Sequence, residues 1–242
     1  MASNPDITLY AYKTLTFPRV AIALEEVGIP YTIINVNVEE HDNLNPEYKR
    51  TVSITGQVPA LIDASTGLKL TESAAIMFYI VDKYGPHLTF PAGSNEYYEL
   101  VQFIDFVTDL TLMVGFGKLI YDPINNPDYG KTPGIEGAMR WRVSKNLTVL
   151  NDRLKEQREK YPGSEPWLVG GKFSAADISA YATVLAASGL AHIEIAELGL
   201  DELVGWKERI GARESAKKVD GLQEKFADGD GAWPRVFKRT EA

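Results

Sequence analysis

The stretch SITGQVPAL at residues 53–61, followed by LTESAAI at residues 70–76, decides the fold of the first part of this chain. The first stretch is a glycine turn that leads into apolar, β-branched residues typical of a strand, but its proline cannot donate a hydrogen bond to a neighbouring strand. The second stretch places Glu72 and Ser73 at the start of an apolar helical pattern, where unpaired backbone N–H groups and the helix dipole favour an anion. Together the stretches predict a strand with one open edge beside a helix start that attracts negative charge.

The surrounding residues predict a small α/β domain over residues 1–84. Alternating β-formers predict strands, and an apolar stripe that stops at Gly28 predicts a helix. The predicted elements are a strand at 7–12, a helix at 17–27, strands at 31–38, 58–61 and 67–70, and a helix from 72 to about 84. The polar residues 39–52 are predicted to form a loop. A right-handed βαβ unit followed by ββα is the thioredoxin-like order.

The second part of the chain is predicted to be all-helical. Residues 85–94 contain two glycines and two prolines, which is typical of a linker. Strand patterns are not found in residues 95–242, and long helical patterns cover 95–121 and 133–160. Ser174 and Asp177 have the spacing of a capping box, with an expected contribution to stability of about 1 kcal/mol or somewhat more if they are buried. We therefore predict an all-α domain over residues 95–242.

Composition and charge exclude several classes of partner. The chain has 242 residues and a formal net charge of -8, which disfavours nucleic acid and anionic membranes as partners. No apolar run is long enough to span a bilayer, and the first residues lack the pattern of a signal peptide, so we expect a cytoplasmic protein.

Residue usage also limits the chemistry. The chain has no cysteine, which removes disulfides, thiolate metal ligands and a cysteine nucleophile. The three histidines, His41, His87 and His192, are too scattered for a metal site. We expect no metal.

The ordered pair of stretches resembles the soluble glutathione transferase superfamily, with phi-type and fungal members as the nearest in pattern. Members carry a Val-Pro on the third strand and a Glu/Gln-Ser pair at the start of the third helix, matched here by Val58-Pro59 and Glu72-Ser73. The capping box resembles one in the family's second domain, so the resemblance covers both halves. It implies that the Val58–Pro59 bond is cis. The lack of cysteine excludes the relatives that work through a mixed disulfide.

The resemblance also implies where glutathione binds. The open strand edge at Val58 and Pro59 pairs with the cysteinyl backbone of the tripeptide, and Glu72 and Ser73 receive the γ-glutamyl end. The glycyl carboxylate needs a cation or an amide, for which His41 and Gln57 are the candidates, together with Lys49 and Arg50 from the intervening loop. An ordinary solvated loop position is the alternative for His41.

Activation of the thiol is assigned by resemblance to the turn after the first strand. Thr14 stands where phi-type relatives have their active serine, Thr16 stands where a fungal group has an asparagine, and Tyr12 is third by analogy with tyrosine-type classes. The residue types at both threonine positions differ from the family pattern. Simple helix capping is the alternative for both threonines, and Arg19 is interpreted as no more than a solvated helix residue.

The predicted function is transfer of glutathione to apolar electrophiles, with reduction of organic hydroperoxides as a second reaction. The alternative is a non-catalytic carrier or interaction module with the same fold. An apolar substrate site is expected from five side chains, each of which is also compatible with an ordinary core position: Leu15, Phe106, Met113, Phe116 and Tyr121. The resemblance further implies a homodimer.

Overall fold

The computed structural model describes residues 6–121, 135–190, 193–226 and 232–238; for 112–121, 135–136 and 190 it describes the backbone alone. The first part of the chain forms a four-stranded sheet of order β2-β1-β3-β4. β1 is parallel to β2 and antiparallel to β3, and β3 is antiparallel to β4. The strands are β1 (Ile7–Ala11), β2 (Tyr31–Asn35), β3 (Ala60–Asp63) and β4 (Leu68–Leu70).

Helices complete the thioredoxin-like arrangement that the sequence predicts. Alternate residues of β1 are buried, as expected for a strand covered mainly on one face. In this part of the chain the helices are α1 (Phe17–Val27), α2 (Pro46–Thr51) and α3 (Ser73–Tyr84). The α/β fold class of the N-terminal part is confirmed.

The prediction of a loop over residues 39–52 is wrong. The segment contains a short 3-10 helix at Asp42–Leu44 and then α2. Asn45 is the N-cap of α2, and its side chain accepts a hydrogen bond from Glu47 N at 2.8 Å. An Asn-Pro-Glu sequence is a helix start signal, but α2 is only six residues long and its polar composition hides any apolar periodicity.

The second part of the chain is helical, as predicted. It contains α4 (Asn95–Tyr121), α5 (Ile135–Lys160), α6 (Ala175–Leu190) and α7 (Asp201–Gly211). In the described residues the helix pair α4 and α6 makes the most extensive packing contact. None of the helices in the described parts of the chain is both long and apolar enough to cross a bilayer.

Contacts divide the chain into two compact units. The first contains the described residues up to Pro86 and those from Arg213 onward, and the second is His87–Ala212. This division differs from the predicted domain of residues 95–242, because α8 (Glu214–Lys225) belongs to the first unit. One of the two boundaries between the units, between Pro86 and His87, falls inside the predicted linker 85–94, and the other lies between Ala212 and Arg213.

The contacts of α8 give the physical reason for this difference. Its buried residues Ala216 and Val219 lie on one face of a helix that packs on α1. Arg213 donates two hydrogen bonds of 2.7 Å to the Glu26 carboxylate at the end of α1. Such contacts join residues about 190 positions apart. Local sequence patterns therefore do not predict them.

Asp63 anchors the end of β3 to α3. Its side chain is fully buried and accepts hydrogen bonds from Lys83 Nζ (2.8 Å), Tyr84 OH (2.8 Å), Tyr79 OH (2.5 Å) and Ser65 Oγ (2.5 Å). Burial alone would raise the pKa of Asp63, but these donors outweigh burial and hold the pKa well below its usual range. The ionised carboxylate therefore stabilises the folded state.

We expect acid to remove this contribution. A carboxyl whose pKa is depressed by folding stabilises the protein above its unfolded pKa of about 4, and the contribution is lost as the pH falls below that value. Asp63→Asn should lower the free energy of unfolding by about 1–2 kcal/mol at pH 7, because hydrogen bonds to a charged acceptor become neutral ones. Urea titrations at pH 7, 5, 4 and 3 should show the difference from wild type shrinking below about pH 4. A difference in unfolding free energy that stays constant with pH would contradict a depressed pKa for Asp63. The control is Glu47→Gln, which removes an exposed ion pair with Arg50.

Candidate functional site

The sheet register brings four segments to one edge. Ala11 at the end of β1 pairs with Asn35 at the end of β2. Tyr10 pairs with Ala60 at the start of β3, and Leu61 pairs with Leu70 at the end of β4. The segments that continue from these four strand ends are therefore neighbours: residues 12–16, 36–45, 56–59 and 71–73. The candidate residues of the first unit lie in these segments, except for Lys49 and Arg50, which lie in α2.

The turn of residues 12–16 holds two threonine hydroxyls close together. Thr14 N donates to Tyr12 O at 2.8 Å and Phe17 N donates to Thr14 O at 3.2 Å, which shapes the turn into α1. The Oγ1 atoms of Thr14 and Thr16 are 3.4 Å apart, and both residues are partly buried. Thr16 is the N-cap of α1, yet its side chain makes no capping hydrogen bond. Helix capping therefore does not describe the Thr16 hydroxyl.

Tyr12 is engaged elsewhere. It is 3% exposed, its hydroxyl donates to Glu39 Oε2 at 2.9 Å, and its ring lies 5.7 Å from the Phe226 ring. Burial and then the Glu39 carboxylate raise the pKa of Tyr12. A phenol that already donates to a carboxylate has to give up that bond before it can donate to a ligand. Of the three candidate donors, Tyr12 is the one already bonded to a carboxylate.

The Val58–Pro59 peptide bond is cis, as the resemblance implies. Among the described residues, no backbone hydrogen bond of the turns and loops involves Val58. The preceding Gly56 has a φ of +65°, and a Cβ there would lie 3.0 Å from Asn43 O, so the turn requires glycine. The backbone of Gln57 is fixed because its carbonyl accepts from Tyr48 OH at 2.8 Å and Ser53 Oγ at 3.0 Å, while its side chain is exposed.

Glu72 and Ser73 stand at the start of α3, as predicted. Ser73 is 8% exposed and begins the helix. Glu72 is its N-cap, with a φ of +68°, and the exposed Glu72 side chain makes no capping hydrogen bond. Backbone strain of this kind at a non-glycine residue is concentrated at ligand sites. The helix start combines backbone N–H groups that have no partner within the helix with the exposed side chain of Glu72.

The interpretation of Arg19 as a solvated helix residue is wrong. Arg19 is 1% exposed, and its Nη1 donates to Ser73 Oγ at 3.0 Å. Burial lowers the pKa of Arg19 to about 10, so the side chain still carries its charge at neutral pH. Its charge lies directly behind the start of α3 and adds to the helix dipole in favouring an anion there. A sequence signal existed, because Arg19 precedes the predicted apolar residues Ile22 and Ala23 by three and four positions and so shares their helix face.

The glycyl-end candidates lie in residues 36–45, in α2 and in residues 56–59. His41 is exposed and has a φ of +60°, directly before the 3-10 helix of residues 42–44. Lys49 and Arg50 line a cavity of about 360 Å³ together with Lys69 and Thr71. Arg50 is bound by Glu47 through two hydrogen bonds. The cavity is lined by three basic side chains, Lys49, Arg50 and Lys69, although the net charge of the whole chain is -8.

The apolar candidates are described only in part. Leu15 lies partly buried in the turn before α1, and Phe106 lies partly buried in α4, with its ring 6.4 Å from the Phe103 ring. Leu15 belongs to the first unit and Phe106 to the second. The side chains of Met113, Phe116 and Tyr121 are outside the described residues, as is His192. Within the described part of the chain, no three His, Asp or Glu side chains are grouped so that they could hold a metal ion.

Comparison with known proteins agrees with this geometry. The family model described as "Glutathione S-transferase, N-terminal domain" matches residues 5–82. The Glutathione S-transferase-like protein gedE of Aspergillus terreus is 32% identical over 211 residues, which is 84% of this chain and 88% of that protein. The related protein tpcF of Aspergillus fumigatus is 32% identical over 177 residues, 72% of this chain and 75% of that protein.

A solved structure extends the similarity to the fold of the whole chain. The glutathione transferase URE2P6 of Phanerochaete chrysosporium, in complex with oxidized glutathione, is 27% identical and superposes with a TM-score of 0.79. The match covers 93% of this chain and 100% of that one. With a thioredoxin-like sheet, a cis Val-Pro, a Glu-Ser helix start and relatives at this level of identity, the chain belongs to the glutathione S-transferase family.

Proposed function

We propose that this chain binds glutathione at the edge formed by residues 12–16, 36–45, 56–59 and 71–73. The proposal is supported by the uncommitted Val58 backbone, by the anion-favouring start of α3 and by the relative whose structure is described with oxidized glutathione. An extended peptide can pair with an open strand edge. The four segments continue from strand ends that the register places at one end of the sheet.

Each end of the tripeptide is proposed to have its own polar partner. The cysteinyl backbone pairs with Val58 next to Pro59. The γ-glutamyl carboxylate accepts from the start of α3 at Ser73, with Arg19 behind it, and the ammonium faces the exposed Glu72 carboxylate. The glycyl carboxylate is bound by the exposed side chains of the remaining segments, His41 and Gln57.

The observation that carries the catalytic proposal is the pair of threonine hydroxyls 3.4 Å apart at the start of α1. A thiol with a pKa of about 8.5 is only a few per cent ionised at neutral pH, and lowering that pKa by about two units needs about 2.7 kcal/mol. One hydroxyl hydrogen bond to a charged group supplies about 1.5–3 kcal/mol, and a helix N-terminus about 0.3–1 kcal/mol. One threonine is therefore sufficient to hold the thiolate.

The proposed reaction is addition of this thiolate to an apolar electrophile. With an aryl halide, sulfur forms the new bond to carbon and halide leaves with the bonding electrons. With an organic hydroperoxide, two glutathione molecules are oxidised to the disulfide while the hydroperoxide is reduced to an alcohol and water. Leu15, beside the threonines, is proposed to contact the apolar substrate.

A carrier that binds glutathione without reaction is the second candidate. It is favoured by the contact of Thr14 and Thr16 with each other, because one of the two hydroxyls then already donates to its neighbour. Titration calorimetry with glutathione, combined with the ultraviolet absorption of the thiolate, separates the two functions. Binding with a thiolate band and turnover of an aryl halide or a hydroperoxide supports the transferase. Binding without ionisation and without turnover supports the carrier, and absence of binding contradicts both.

We expect Arg19→Met to weaken glutathione binding about tenfold, because the buried charge behind Ser73 is removed while the bulk of the side chain is kept. Calorimetry at pH 7 measures the change. Ser73→Ala should weaken binding to a similar degree, and Arg19→Lys should recover part of the loss. An Arg19→Met variant that is folded and binds like wild type would show that the charge does not reach the ligand.

Assembly and location are proposed from the family. Family members are usually two-fold dimers, and we propose a homodimer in the cytoplasm, where glutathione keeps thiols reduced. Sedimentation of the purified protein at micromolar concentration should give twice the chain mass of 26.8 kDa. A mass near that of one chain would contradict the dimer without affecting glutathione binding.

A further inference from the structure

Residues 232–238, here named the strap, lie against the sheet of the first unit. Pro234 O accepts a hydrogen bond from Asn35 N at 3.0 Å, and Lys238 O accepts one from Asn45 Nδ2 at 3.1 Å. β2 is an edge strand of the sheet, and Asn35 is its last residue. The strap therefore covers the point at which the chain leaves β2 and enters the segment of residues 36–45.

Arg235 fixes that segment through a buried ion pair. Its side chain is 7% exposed, and Nε and Nη2 each donate to one oxygen of the Asp42 carboxylate at 2.8 Å. Asp42 is fully buried and also accepts from Asn37 N at 3.1 Å. Paired, planar geometry of this kind is the strong form of an arginine–carboxylate contact. The carboxylate belongs to the residue directly after His41, so the strap restrains the backbone next to His41.

Phe237 supports a second segment of the same edge. It is 8% exposed, and its ring lies 5.3 Å from that of Tyr48 and 6.1 Å from that of Tyr10. Tyr48 is fully buried, and its hydroxyl donates to Gln57 O at 2.8 Å. Gln57 directly precedes Val58. The strap thus packs behind the tyrosine that fixes the backbone next to the cis peptide bond.

We propose that Arg235 and Phe237 are positioning residues of the glutathione site. They act through Asp42 and Tyr48 and do not touch the ligand. Two of the four segments at the glutathione edge, residues 36–45 and 56–59, are held in their binding geometry by the strap before the ligand arrives. Order that exists before binding does not have to be created by binding, which raises affinity. The inference rests on the proposed function for the identity of the ligand, but the ordering itself can be tested without one.

Hydrogen exchange of the free protein tests the ordering. Arg235→Met should speed exchange of the Asp42 and Leu44 amides, which donate within the segment to Asn37 O and His41 O, by about tenfold. The control is Arg213→Met, which removes an arginine–carboxylate contact of two hydrogen bonds in the same unit, between Arg213 at the start of α8 and Glu26 of α1. Equal exchange in wild type and Arg235→Met would overturn the inference.

Glutathione titration tests the consequence for the ligand. Arg235→Met and Phe237→Leu should weaken the Kd about five- to tenfold, with kcat at saturating glutathione within about twofold of wild type. Arg235→Lys should recover part of the affinity, and Arg213→Met should bind like wild type. Should Arg235→Met fail to fold, Arg235→Lys and Phe237→Leu carry both measurements. Unchanged Kd in the folded strap variants would overturn the inference and leave the proposed function standing, whereas a wild-type protein that does not bind glutathione would overturn the proposed function.

Discussion

Thr14→Val should slow conjugation about ten- to a hundredfold at neutral pH, because it removes one hydrogen bond to the thiolate, about 1.5–3 kcal/mol, while keeping the shape of the side chain. The Kd of glutathione should change much less. Raising the pH should recover part of the loss, since solvent then ionises the thiol without help from the protein. The pH profile of kcat/KM should therefore shift upward in the variant.

The Thr16 hydroxyl lies next to that of Thr14, so a double variant with Thr14→Val and Thr16→Val is informative. The Thr14 and Thr16 hydroxyls are in contact, so their effects should not be additive. If Thr16→Val alone carries the pH-dependent defect, Thr16 holds the thiolate. Thr32→Val on β2 is the control, because it is an exposed threonine of the same sheet. Silence of both single variants and the double variant would exclude the hydroxyls, and Tyr12→Phe would then be tested, although its bond to Glu39 leads us to expect a small effect.

Asp177→Ala should destabilise the second unit by about 3–5 kcal/mol, well above the effect of an ordinary helix cap. Asp177 is fully buried and accepts four hydrogen bonds: from Ser174 N and Ser174 Oγ at 3.0 Å, from Leu168 N at 2.9 Å and from Trp206 Nε1 at 2.8 Å. Alanine leaves these buried donors without an acceptor. Thermal unfolding followed by circular dichroism should show a fall in Tm of about 10 °C or more.

Two milder variants provide a comparison for the destabilisation expected of Asp177→Ala. Ser174→Ala removes one donor and should cost about 1 kcal/mol, and Trp206→Phe removes another while keeping most of the ring. A loss of less than about 1 kcal/mol in Asp177→Ala would mean that water or a rearranged backbone takes over the four bonds. Glutathione binding should persist in all three variants at temperatures below unfolding, because these residues belong to the second unit.

The sequence predicts those parts of the protein that are determined by residues close together in the chain. The Val-Pro and Glu-Ser pairs were recognisable because strand, turn and helix start are each encoded within about ten residues. The Asp177 carboxylate accepts from Ser174 N, as a capping box requires, but the Ser174 hydroxyl donates to that carboxylate and does not accept from the backbone.

The missed features are contacts between distant residues. Arg19 and Ser73 are 54 positions apart, Asp177 and Trp206 are 29 apart, and Asp42 and Arg235 are 193 apart. Each partner alone has an ordinary local explanation as a helix residue, a cap or a charged tail. Periodicity reports which face of an element is buried, and it does not report which distant side chain meets it.

The first unit contains residues from both sides of the second one in the sequence, and this has a consequence for biosynthesis. A ribosome delivers β1 to α3 early, but α8 and the strap follow only after residues 87–212 have been made. Until then the nascent first unit exposes the face of α1 that α8 covers and the end of β2 that the strap covers, and such surfaces promote aggregation. The part of the protein that is translated first is therefore the part whose folding is completed last.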